Sequence, residues 1–89
     1  MTIKIDEASP DAMSLRRLAV GQRARITAIR AEGELGRRIR DMGLTPGAEI
    51  AVIGRAPLKD PVALRLKGFT LSLRNKEADY ILVAPLEAS

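Results

Sequence analysis

The run VALRLKGFTLSLR, residues 62–74, constrains the fold more than any other part of this chain. Apolar residues alternate with others on both sides of Lys67-Gly68, the pattern of two strands joined by a two-residue turn. Folding back there pairs Leu66 with Phe69, Leu64 with Leu71 and Val62 with Leu73, all on one face. Ala63, Arg65, Thr70, Ser72 and Arg74 take the other. Side chains alternate with a period of two, so a slip of one residue would carry all six apolar side chains into water. The register is therefore specified, and with it a core packed against one face of an antiparallel sheet.

The other elements are shorter. RARITAIR (23–30) alternates with Ala24, Ile26 and Ala28 inward, until Ile29 breaks the pattern and predicts a bulge or a covered outer face. LGRRIRDM (35–42) has Leu35, Ile39 and Met42 at helical spacing, with Arg37 and Asp41 as an i,i+4 pair on the wet side. Gly43 suits the residue after the helix, where a left-handed backbone is cheap for glycine, and Leu44 can then fold back on Ile39 in a Schellman cap. Thr45-Pro46-Gly47-Ala48 fits a type II turn. AEIAVIG (48–54) follows as a strand with Ile50 and Val52 inward. RAPLKDP (55–61) is a loop, NKEAD a turn or short helical piece, and YILVAP a last strand with Ile81 and Val83 inward. Leu15 and Leu18 form the apolar edge of one helical turn that Gly21 ends. Residues 1–13 contain Pro10, show no sustained period and read as a loose extension before a domain at 14–89. About five short strands with one inserted helix predict a mainly β fold, a small, partly open barrel.

Composition narrows what such a barrel can be. A chain of 89 residues is one domain with a limited core. It contains neither cysteine nor histidine, so no disulfide or histidine–zinc site can brace it, and Phe69 and Tyr80 are its only aromatics. The core must be aliphatic. The absence of cysteine suits a reducing cytoplasm. The first twenty residues have no apolar stretch typical of a signal peptide, and nothing approaches the roughly 18 consecutive apolar residues of a membrane span. A soluble, cytoplasmic protein is expected.

Net charge is +4, unevenly spread. Residues 1–13 carry one lysine and three acids, leaving fourteen basic and eight acidic residues in 14–89. That balance draws an acidic partner, nucleic acid or an anionic membrane. Nucleic acid is the main alternative, as a basic barrel module. Sequence-tolerant binders stack bases on aromatic platforms, however, and this chain has almost none. The arginines also lie on different elements, so a solvated surface accounts for them better. Catalysis is not expected. Without His or Cys there is no histidine-based triad and no thiolate, and no GxxxxGK[ST] loop cradles a phosphate.

LAVGQRARITAI followed by LGRRIRDMGLTPGAEIAVIGRAPLKDPVALRLKGFTLSLRNKEADYILV resembles the FeoA family of ferrous iron transport accessory proteins. The marks are Gly21, Asp41-Met42-Gly43-Leu44 behind its arginines, Pro46-Gly47, Ala56-Pro57, Asp60-Pro61, Gly68, Leu71-Ser72-Leu73-Arg74, Ala78 and Ile81-Leu82-Val83. They run in order from about Leu15 to Val83. Phe69 stands where tyrosine is common in the family. The resemblance implies an SH3-like β-barrel and a cytoplasmic accessory or regulatory role. It also implies a partner, the ferrous iron permease FeoB with its cytosolic GTPase domain, which would recruit the protein to the inner face of the membrane. Tight iron binding is not expected here, because Fe²⁺ sites favour imidazole or thiolate and this chain has neither. No cofactor is implied.

Such a role needs a contact surface. Leu58 is the leading residue, an apolar tip on a proline-flanked loop with Arg55 and Lys59 beside it. Leu44 joins it if the cap leaves it half exposed, as do Tyr80 and Leu82 on the outer face of the last strand. Arg38 is a further contact; an arginine finger from Arg37, Arg38 or Arg40 to the partner GTPase is the bolder reading, and a solvated outer helix face accounts for these side chains better. Open barrel edges also leave room for a homo-oligomer.

Overall fold

A computed structural model describes residues 12–86. Six antiparallel strands form one sheet: β1 (Met13–Ser14), β2 (Arg23–Ile29), β3 (Glu49–Arg55), β4 (Val62–Leu66), β5 (Phe69–Leu73) and β6 (Ile81–Pro85). Their spatial order is β1-β6-β2-β3-β4-β5. A 3-10 turn at Leu15–Arg17 follows β1, helix α1 (Gly33–Asp41) links β2 to β3, and the four-residue α2 (Asn75–Ala78) links β5 to β6. The strand that periodicity did not predict is β1. It has two residues, too few for any period, and is set by its partners: Met13 lies opposite Val83 and Ser14 opposite Leu82. Residues 1–11 of the expected extension lie outside the described residues.

One aliphatic cluster fills the interior, with Leu15, Ile39, Leu44, Leu64, Leu73 and Ile81 fully buried. The 3-10 turn, α1 and the strands all contribute to it, so the sheet wraps around this core. The β4–β5 hairpin has the register its alternation requires, Leu66 to Phe69, Leu64 to Leu71 and Val62 to Leu73. Positive φ in its turn falls on Gly68 alone, at +88°, the pattern of a type II turn.

Helix α1 begins two residues earlier than the periodicity indicated and ends as expected. The Gly43 N–H donates to the Arg40 carbonyl at 2.9 Å and the Leu44 N–H to that of Ile39 at 3.3 Å. Those are the two bonds of a Schellman motif, and Gly43 takes the left-handed position at φ +96°. The next turn closes with the Ala48 N–H on the Thr45 carbonyl at 3.0 Å. On the wet side of α1, Arg37 pairs with Glu34 at 3.3 Å, one turn toward the N-terminus, rather than with Asp41.

Three differences from the alternating pattern bear on function. The register of β2 shifts at Thr27, two residues before the place the sequence suggested. A second shift falls at Ile53 of β3, so that Arg55 lies opposite the buried Val62. Directly opposed residues share a face, so this bulge turns Arg55 to the inner side of the sheet. Phe69, expected in the core, is 46% exposed, because among the described residues β5 is the last strand of the sheet. Its ring instead lies over Gly43, where an added Cβ would come within 3.0 Å of Cζ.

Candidate partner-binding surface

The loop between β3 and β4 is held by side chains from distant parts of the chain. The Arg55 guanidinium, re-aimed by the bulge, donates to the carbonyls of Arg16 at 2.7 Å and Leu18 at 2.9 Å. Its other nitrogen donates to the Lys59 carbonyl at 3.3 Å and to Asn75 Oδ1 at 3.2 Å. A planar fork can meet this many acceptors at once, whereas an ammonium cannot. The Asn75 side-chain amide also donates to the Lys59 carbonyl at 2.9 Å, and its backbone N–H donates to Asp60 Oδ1 at 2.9 Å. Within the loop the Lys59 N–H donates to the Ala56 carbonyl, and the Ala56 N–H to that of Pro61 at 3.0 Å. The Asp60–Pro61 peptide is cis.

This scaffold presents Leu58 at 90% exposure, the most exposed large apolar side chain among the described residues. Val20, 57% exposed, lies across a shallow cleft of about 600 Å³ whose rim carries Arg16, Lys59 and Arg55. Val20 was missed at the sequence level. Its turn is closed by the Gln22 N–H on the Ala19 carbonyl at 3.0 Å, with the Gln22 side-chain oxygen accepting from the Ala19 N–H at 2.7 Å. The available signal was an apolar residue immediately before the turn glycine, Gly21.

Arg38 and Tyr80 meet at a second, smaller depression of about 380 Å³, together with Leu35, Glu77 and Asp79. Arg38 pairs with Glu77 at 3.1 Å, and the Glu77 side chain is only 8% exposed. The other Glu77 oxygen accepts the Arg74 N–H at 3.1 Å. A buried carboxylate stripped of its cation is costly, so Arg38 has a structural task here whatever else it contacts. The Arg16–Asp79 ion pair, at 3.0 Å, stands between the two depressions, with Arg16 lining the first and Asp79 the second.

Two expected contacts, Leu44 and Leu82, line neither depression. Leu44 is fully buried, because the Schellman cap folds it onto the core, and it can touch no partner. Leu82 is half-buried in β6 between β1 and β2, on the face opposite Ile81 and Val83. Arg55 lines the Leu58 cleft but spends its donors on the loop. Among the described residues no three His, Cys, Asp or Glu side chains gather where a metal ion could sit. No helix among them is long and apolar enough to cross a membrane.

A sheet of this order rolled around one aliphatic core defines a small SH3-like β-barrel domain. The chain belongs to the FeoA family, since residues 13–85 match the FeoA domain. Over 71 residues it is 38% identical to a Fe(2+) transport protein A/Fe(2+) transporter FeoB fusion protein of Porphyromonas gingivalis. That match covers 80% of this chain and 8% of the fusion protein, so the chain spans under a tenth of that relative. A FeoA-like protein from Clostridium acetobutylicum superposes with a TM-score of 0.82 at 39% identity, over 89% of this chain and 92% of that one. The fold is shared further with Stenotrophomonas maltophilia FeoA, described as a prokaryotic SH3 domain protein, at a TM-score of 0.70 and 24% identity. That match covers 80% of this chain and 88% of the other.

Proposed function

We propose that this chain is a small accessory and regulatory protein of ferrous iron uptake, which binds the cytosolic GTPase domain of a FeoB-type permease. The observation that carries the reading is the fusion relative, in which a FeoA unit and a FeoB transporter share one polypeptide. Sharing a polypeptide holds two units at high effective concentration, so a modest docking surface between them is enough. The Leu58–Val20 cleft with its cationic rim supports such a contact, because an apolar tip on a braced loop loses little entropy on binding. Lys59 and Arg16 suit an acidic partner surface, and the Arg16–Asp79 ion pair joins this cleft to the depression that Tyr80 and Arg38 line. The role is one of binding, exercised in the cytoplasm at the inner face of the membrane, and it needs no catalytic group of this chain's own. Four of its acids have structural tasks: Glu77, Asp79 and Glu49 are paired with arginines and Asp60 accepts from the Asn75 backbone.

Calorimetry of the full chain against the isolated GTPase domain of FeoB from the same organism tests this, without nucleotide, with GDP and with a non-hydrolysable GTP analogue. Nucleotide-dependent binding that Leu58→Asp removes is the expected result. Absence of binding in all three states defeats the reading. Salt-steep binding of an oligonucleotide would then put the nucleic-acid alternative first.

A further inference from the structure

Among the described residues β5 ends the sheet, and its outer edge pairs with no other strand. Leu66 and Phe69 flank a two-residue turn, so they exchange both of their ladder hydrogen bonds, as do Leu64 with Leu71 and Val62 with Leu73. The N–H and C=O groups of Thr70 and Ser72 therefore point away from β4. Neither residue has another backbone partner among the described residues. Proteins usually blunt such edges with proline, inward charge or a bulge. Phe69-Thr70-Leu71-Ser72-Leu73 has no proline and no charge, and it pairs with β4 without a register shift.

The two faces of this edge say what would complete it. On the inner face only Leu73 is fully buried, while Leu71 is half-buried and Phe69 is exposed. On the outer face Arg65 lies opposite Thr70, Arg74 follows on the same side, and Lys67 stands in the turn. None of these three cations has an ion-pair partner among the described residues. The row continues from Arg65 to Ala51 and on to Arg23. A cleft of about 770 Å³ is lined by Arg23, Ala51 and Arg65 together with Lys67, Phe69 and Gly43. Its one carboxylate, Glu49, lies 3.0 Å from Arg25 and 3.8 Å from Arg23.

We propose that β5 takes up an extended acidic segment of another protein as an added strand of the sheet. Main-chain bonds to Thr70 and Ser72 hold the segment, and its alternate apolar side chains cover Phe69 and Leu71. The acidic side chains between them lie opposite Thr70 and Ser72, beside Arg65, Lys67 and Arg74. A second copy of this chain suits the edge badly. Antiparallel pairing of two β5 strands brings Lys67 of one beside Arg74 of the other, with no acid between them. The site runs along β5 from the hairpin turn to Arg74, which adjoins Asn75, a brace of the Leu58 loop, and it does not rest on the partner proposed above.

Amide hydrogen exchange by NMR on the full chain tests this, using as probe a capped peptide of alternating valine and glutamate, about seven residues long. In the free protein Thr70 and Ser72 should exchange fast while Phe69 and Leu71 are protected. Millimolar peptide should slow Thr70 and Ser72 at least about tenfold, and the same peptide with lysine in place of glutamate should leave them unchanged. Ser72→Pro removes one outward donor without touching the ladder to β4, and it should abolish the protection at Thr70. The proposal is overturned if the glutamate peptide protects neither amide, or if the lysine peptide protects them equally. Protection that grows with protein concentration and no peptide would assign the edge to a second copy instead. If Ser72→Pro unfolds the chain, the two peptides on the unaltered protein still decide.

Discussion

The strand β4 is entered and left through two connections built on different principles. The Lys67-Gly68 turn is local, since two residues and one positive φ close it, and every requirement is written between Val62 and Leu73. The Ala56–Pro61 loop is not. Its form depends on Arg55 reaching Arg16, Leu18 and Asn75, and on Asn75 reaching Lys59 and Asp60, residues 15 to 39 positions apart. A turn that carries its own instructions needs nothing from the rest of the barrel. A loop held from outside can instead carry an apolar side chain into water at a fixed place.

The contrast is broken most forcefully at Arg55. Replacing it with alanine removes four hydrogen bonds and leaves the carbonyls at the end of the 3-10 turn without their donor. A loss of about 2–4 kcal/mol is expected in urea denaturation, with the β4–β5 hairpin amides still protected up to global unfolding. Arg55→Lys should recover little of it, since one ammonium cannot reach carbonyls on two sides. A loss below about 0.5 kcal/mol would show that the loop holds itself.

The opposite probe is Gly68→Ala, which places a side chain at φ +88°. It should cost about 1–2 kcal/mol and leave the Leu58 loop untouched, as read from amide shifts in residues 56–61. Asn75→Ala comes next, at about 1 kcal/mol. Asn75 and Arg55 share the Lys59 carbonyl, so the double variant should cost less than the sum of the singles. Strict additivity would mean the two side chains brace the loop independently.

Legibility follows the same division. The hairpin register, the Schellman cap at Gly43, the turn at Pro46-Gly47 and the inward faces of β2, β3 and β6 could be read from neighbours within a few residues. What escaped depends on a neighbour far away. Met13–Ser14 is a strand only because β6 is beside it. Phe69 has a core residue's place in the alternation, but the sheet ends at β5 and leaves it half exposed. Arg55 reads as a surface charge, and only the Ile53 bulge turns it inward. The candidate site is legible in the same measure. Leu58 stands out because prolines flank it, whereas Val20 joins it only through the cleft between two turns, and Leu44 leaves it because its cap works.

Leu58→Asp is expected to have the smallest effect on stability and to separate scaffold from function. Leu58 is almost wholly exposed and its side chain holds nothing in the loop, so the variant should lie within about 0.5 kcal/mol of the parent in urea. Its amide spectrum should change only near residues 56–61. A charge at the centre of an apolar contact is another matter. It is buried without a partner when the complex forms, and affinity for the FeoB GTPase domain should fall by at least about tenfold, or 1.4 kcal/mol. A destabilised variant would show that Leu58 packs in the free protein and would return the apolar tip to the core. A stable variant of undiminished affinity would leave Leu58 as a braced ornament and move the contact to the Arg38–Tyr80 depression or the β5 edge. Stability retained with affinity lost would show that the distant hydrogen bonds of Arg55 hold in place a side chain used only outside this chain.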